Sequence, residues 1–167
     1  MVSWSDSALS PGAHAGARVE GRAMQSIVEW LLVAVGALLC IGGAIGFWQA
    51  QTASPAAPLW PLPALVLFEW MLLGMISTIA AFGERRSKTF PWANVRWAVC
   101  GALFGLLIVG VFSIGPLALL AALAFLGAAL LDNYRHQRGM NAYVGALTAG
   151  TVANIVLLLL LIRLANG

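Results

Sequence analysis

Charged side chains are missing from three long stretches of the chain: the 39 positions from Trp30 to Phe68, the 35 from Trp97 to Leu131 and the 24 from Gly139 to Ile162. A helix crosses a bilayer core with about 20 apolar residues, so each stretch holds at least one span. The first is divided by QAQTASPAAPLW, whose prolines stop a helix. The second would extend about 52 Å as one helix, well beyond a core of roughly 30 Å. It must turn at SIGP, positions 113–116, with Gly115 as the flexible position and Pro116 suited to the first turn of the next helix.

These breaks predict an all-α fold, a polytopic membrane helical bundle of five transmembrane helices. The spans fall at residues 27–48, 63–82, 95–114, 117–131 and 142–162, within one membrane domain over residues 26–167. Residues 1–25 are expected to form a disordered cytoplasmic tail, because Ser, Gly, Ala and Pro dominate them and few apolar residues are there to offset ordering entropy. Met24, just ahead of the first span, is an alternative start.

Composition agrees with the pattern. The chain is 61% apolar and 9% charged, with a mean hydropathy of +0.90, values that exclude an ordinary water-soluble domain. Its net charge of +3 reflects membrane orientation rather than a nucleic-acid partner. With the N-terminus inside, Arg18, Arg22, Arg85, Arg86, Lys88, Arg96, Arg135 and Arg138 fall on the cytoplasmic side and only Arg163 outside. The expected orientation is therefore N-terminus in and C-terminus out. Trp30, Trp92, Trp97, Tyr134 and Tyr143 form an inner aromatic belt and Trp48 and Trp60 an outer one, while Trp70 fits neither. Arginine supplies eight of the nine basic residues, which suggests a GC-rich genome and a bacterial inner membrane.

Packing signals are GxxxG spacings at Gly42/Gly46 and Gly101/Gly105, with Gly145/Ala149 and Ala146/Gly150 in the last span. Intramolecular packing is the expectation for them. Cys40 and Cys100 lie at different depths and are expected to stay unpaired.

Few residues can carry chemistry. Ser26 and Glu29 have the spacing of a capping box at the start of the first span. Glu69 lies about six residues into the second span, where charge is expensive and a carboxylate usually faces the bundle interior. Depth arithmetic places Asn154, Thr151 and Thr148 of the fifth span and Ser77 of the second beside it, as an intramembrane polar cluster. Such a cluster serves either as a path for protons or a small polar ligand, or as an interhelical hydrogen bond that fixes packing. Arg85, Arg86, Lys88, Arg135 and Arg138 could contact anionic lipid headgroups. Asp132 is spaced for a solvated pair with Arg135 or His136.

No span carries a histidine, so neither a haem nor a metal site is expected, no cofactor is called for, and no catalytic motif is present. The leading expectation is a non-enzymatic small subunit or accessory protein of a membrane complex, with the lipid bilayer, other membrane subunits or further copies of itself as partners. The alternative is a small transporter or proton-linked permease using Glu69.

Overall fold

The computed structural model describes residues 11–53, 62–87, 91–109, 115–136 and 140–166, all helical apart from a few flanking positions. The helices are α1 (Pro11–Thr52), α2 (Leu62–Arg86), α3 (Trp92–Val109), α4 (Gly115–His136) and α5 (Asn141–Asn166). Each is long and apolar enough to span a membrane. In hydrocarbon no water is available to backbone amides, so uncharged runs of this length are held to the one local structure that satisfies every peptide group internally.

Most helices run a few residues past the expected spans, and two ends depart most. Helix α1 begins at Pro11, so the backbone of residues 11–23 is helical where a disordered tail was expected; residues 1–10 lie outside the described residues. Extending a formed helix adds one hydrogen bond per residue fixed, whereas starting one is costly, so an apolar span can carry polar residues upstream into helix. Helix α4 continues past the expected end at residue 131 to His136, and its last turn holds Arg135 and His136, which oppose the negative end of the dipole. The turn expected at SIGP falls partly on residues 110–114, which lie outside the described residues; α4 starts at Gly115, with Pro116 in its first turn. Pro91 directly precedes α3, and its carbonyl receives the amides of Asn94 and Val95 at 3.0 and 3.3 Å, closing the first turn of that helix.

Helices α1 to α4 form a ring in which each packs against its two neighbours, and α5 lies outside it against α3, touching α2 only lightly. The core is built from fully buried Cys40, Trp70, Cys100, Leu103, Leu106 and Phe125 with many alanines around them. Glycines provide room for the large rings. A Cβ on Gly43 would meet the Trp70 indole at 2.5 Å, and one on Gly36 would meet the Phe125 ring at 2.9 Å. Trp70, the tryptophan outside both belts, is thus a core side chain. Both cysteines are free thiols.

The tightest crossing is α3 on α5. A Cβ on Gly101 would overlap the Leu147 carbonyl, one on Gly150 would overlap the Ala98 carbonyl, and one on Gly105 would stand 2.9 Å from the Thr151 carbonyl oxygen. Lipid is as apolar as the side chains, so helices in it associate through close van der Waals contact, and only glycine permits backbones this near. The Gly101/Gly105 spacing is therefore an intramolecular seam. Gly42, Gly46 and Gly145 face open space.

Candidate functional site

Charged side chains converge at one end of the bundle. Arg96, in the second turn of α3, is only 3% exposed, and its Nη1 donates to Glu84 Oε2 of α2 at 2.9 Å and to Glu29 Oε1 of α1 at 3.3 Å. The other Glu29 oxygen, Oε2, lies 3.6 Å from Arg85 Nη2 of α2 and 3.9 Å from Arg135 Nη1 of α4. Four helices are thereby tied through Glu29 and Arg96. Arg85 is further held by a 2.8 Å hydrogen bond donated to the Ser26 hydroxyl and by its position 4.8 Å from the centroid of the Trp30 ring.

This geometry corrects two expectations. Glu29 does not cap a helix, because α1 extends well upstream of it, and Ser26 is engaged by Arg85. Its carboxylate instead compensates a buried guanidinium, without which either charge would be costly. Asp132 is not a solvated pair: it is buried, its Oδ1 lies 3.1 Å from His136 Nδ1, and Arg135 turns to Glu29. Arginines expected to set orientation also build the interior.

Above the cluster, the C-terminal ends of α2 and α4 and the N-terminal ends of α3 and α5 enclose a cavity of about 610 Å³. Glu84 and Arg85 enter it from α2, and Asp132, Arg135 and His136 from α4. Of the expected headgroup contacts, Arg85 and Arg135 line this cavity. Arg86 is exposed outside it, and Lys88 and Arg138 lie outside the described residues.

The second constellation lies within the candidate membrane spans, away from the charged end. Both carboxyl oxygens of Glu69 are shielded from solvent and make no hydrogen bond. Asn154 of α5 stands beside that carboxyl, but its amide nitrogen donates to the Ala102 carbonyl of α3 at 2.7 Å. The hydrogen bond that fixes α5 thus runs to α3. The Thr151 and Thr148 hydroxyls donate to the carbonyls of Leu147 and Val144 on their own helix, at 3.0 and 2.9 Å. Ser77 is buried two turns along α2 from Glu69. Of the five residues expected together, Glu69 and Asn154 are the pair brought face to face.

Arg96 as a hub was not expected from sequence. A signal for it existed: Glu29, Glu84, Arg96 and Asp132 each stand at the same end of a different span, with opposite signs available for pairing. Among the described residues, no three His, Cys, Asp or Glu side chains are grouped to hold a metal ion. No protein-family model, curated protein or solved structure matches the chain.

Proposed function

We propose that the chain is a non-enzymatic small subunit or accessory protein of a membrane complex, inserted with its N-terminus in the cytoplasm and its C-terminus outside. The observation that carries this reading is the closed interior. Between the level of the ionic cluster and the level of Glu69, Val33, Cys100, Leu103 and Phe125 fill the ring, all nearly unexposed, so its centre is occupied by packed apolar side chains. A face remains for a neighbour: Gly42 and Gly46 are uncovered on α1, beside exposed Leu38 and Ile45. The excess of basic residues at the end that bears the cluster supports the orientation, which a C-terminal reporter active only outside the cytoplasm would check.

The test is affinity purification in mild detergent from the native host, followed by size-exclusion chromatography and mass spectrometry. A stoichiometric partner chain in the same peak is the expected result; a homogeneous species made only of this chain would refute the proposal.

One observation favours a second reading, a proton-linked permease: the Glu69 carboxyl has no hydrogen-bond partner in the membrane interior. Glu69→Gln keeps the size and can still hydrogen-bond, but carries no proton. Under the subunit reading the variant purifies with the same partners and unchanged thermal stability, whereas loss of proton flux in reconstituted vesicles would transfer the function to Glu69.

A further inference from the structure

Three guanidinium groups are tied to two carboxylates at the charged end. Arg96 lies against both Glu84 and Glu29, at 2.9 and 3.3 Å, whereas Arg85 and Arg135 reach only Glu29, and both at the same oxygen, 3.6 and 3.9 Å away. One distant oxygen thus serves two positive charges, and their nitrogens can be no farther apart than those two distances laid end to end. The other carboxylates are committed elsewhere: Glu84 faces Arg96, and Asp132 lies 3.1 Å from His136. Among the described residues, neither forms an ion pair with Arg85 or Arg135. A guanidinium carries five N–H donors, yet Arg85 donates one hydrogen bond, to Ser26 at 2.8 Å, and Arg135 donates none among the described residues. Both side chains, 43% and 35% exposed, line the cavity of about 610 Å³. The Trp30 ring, 4.8 Å from Arg85, helps to hold that guanidinium in place. Ala93 and Asn94, in the first turn of α3, line the same cavity, so the positive end of that helix dipole faces it.

We infer that Arg85 and Arg135 bind a phosphate group in this cavity, as the second anion that their shared carboxylate oxygen leaves them short of. Guanidinium groups pair with phosphate through parallel N–H donors, and a phosphate presents oxygens in more than one direction, so a single group accepts from arginines on two helices at once. A cation would meet charge of its own sign, and an apolar ligand would leave the donors unpaired. The cavity is larger than a phosphate alone, with room for a small group esterified to it. At the end of a membrane span such a group comes from two sources, an anionic lipid headgroup or a phosphate in solution, and the chemistry of recognition is the same for both. The inference does not rest on the subunit reading, since it needs neither a partner chain nor a direction of insertion.

The experiment uses the full chain, stripped of lipid in detergent and titrated with phosphatidylglycerol, with diacylglycerol of the same acyl chains, and with inorganic phosphate against chloride at equal ionic strength. Thermal denaturation reads protection, and native mass spectrometry counts bound lipid. A phosphate-bearing probe is expected to protect where diacylglycerol and chloride do not. Protection by phosphatidylglycerol alone assigns a lipid headgroup, and equal protection by inorganic phosphate assigns a soluble source. No protection by either, or equal binding of diacylglycerol, would overturn the site. Arg85→Gln and Arg135→Gln should each weaken binding about fivefold, the scale of one basic residue at a lipid surface, while Arg86→Gln, exposed outside the cavity, leaves it unchanged. An equal loss from Arg86→Gln would reduce the binding to diffuse surface attraction and count against the inference. Because Arg85 and Arg135 also approach Glu29, their variants can lose stability without any ligand, so the parent chain supplies an independent check. Phenylglyoxal, which modifies guanidinium groups, followed by peptide mass mapping, should find Arg85 and Arg135 protected by the bound phosphate probe and Arg86 equally reactive with and without it. Unprotected Arg85 and Arg135 would refute the inference.

Discussion

Gly101→Leu, or Gly150→Leu, should release α5 from α3 and remove most of the folded protein, whereas Gly42→Leu should leave stability unchanged. All three place the same side chain on a glycine within an apolar helix, so transfer into lipid is alike for each. What differs is the space. Beyond Gly101 stands the Leu147 carbonyl and beyond Gly150 the Ala98 carbonyl, both rigid backbone, while nothing lies within 4 Å of a Cβ on Gly42. Overpacking a tight contact usually costs about 1–3 kcal/mol, and here the obstacle is a helix that must move as a body, so about 3 kcal/mol is expected. Moving α5 outward would also break the 2.7 Å hydrogen bond from Asn154 to Ala102. Thermal denaturation in detergent, with limited proteolysis between α4 and α5, reads both effects; a Gly101→Leu protein as stable as the parent would refute the close crossing.

Arg96→Gln should be the most damaging single change among the charged residues, with a loss of about 3–5 kcal/mol, the range for breaking a buried ion pair from one side. Glu84 would lose its 2.9 Å partner and Glu29 its 3.3 Å partner, leaving two carboxylates in the packed end of four helices. The cost comes mainly from buried carboxylates stripped of their shortest cationic contact, Glu29 keeping only the longer approaches of Arg85 and Arg135, so removing the carboxylates as well should restore stability. Glu29→Gln and Glu84→Gln added to Arg96→Gln are expected to give a triple variant more stable than Arg96→Gln alone. A triple variant worse than the single one would mean that the cluster contributes by net attraction, in contradiction to this account. Both carboxylates are reached from the single Nη1 of Arg96, so Lys at position 96, a point charge with three donors, should recover part of the loss.

Much of the fold could be read from the residues because long uncharged apolar runs leave the backbone few choices. Uncharged runs of this length must be helical, a run of 35 must turn, and Gly115 with Pro116 shows where. Asn154 was placed beside Glu69 by counting 1.5 Å per residue from the membrane edge, which works because a span has nearly fixed length and direction. The same counting could not say that Thr148 and Thr151 bond their own helix. Depth follows from position along a helix, whereas hydrogen bonding depends on rotation about the axis and on which neighbour is present.

Glu29 shows where local reading ends. Ser26 and Glu29 have the spacing of a cap, and a cap is a property of a helix end, but the helix does not end there. Once α1 runs upstream, the same carboxylate faces inward and meets guanidinium groups from three other helices. Asp132 follows the same logic: the sequence shows His136 one turn away, and only the packed bundle shows that the carboxylate is buried while its histidine partner stays exposed.

The sequence by itself determined that the chain is apolar helix, where its five spans lie, and that charge gathers at one end, since these follow from solvation and from the rise of a helix. The tertiary structure decided the rest. Nothing local foretells that α5 lies against α3, because that contact depends on three glycines from two distant segments meeting at backbone distance. Nor does any one segment contain the cluster around Arg96. Its partners are 67 and 12 residues away in the chain, and a buried charge is stable only where packing brings the opposite charge to it.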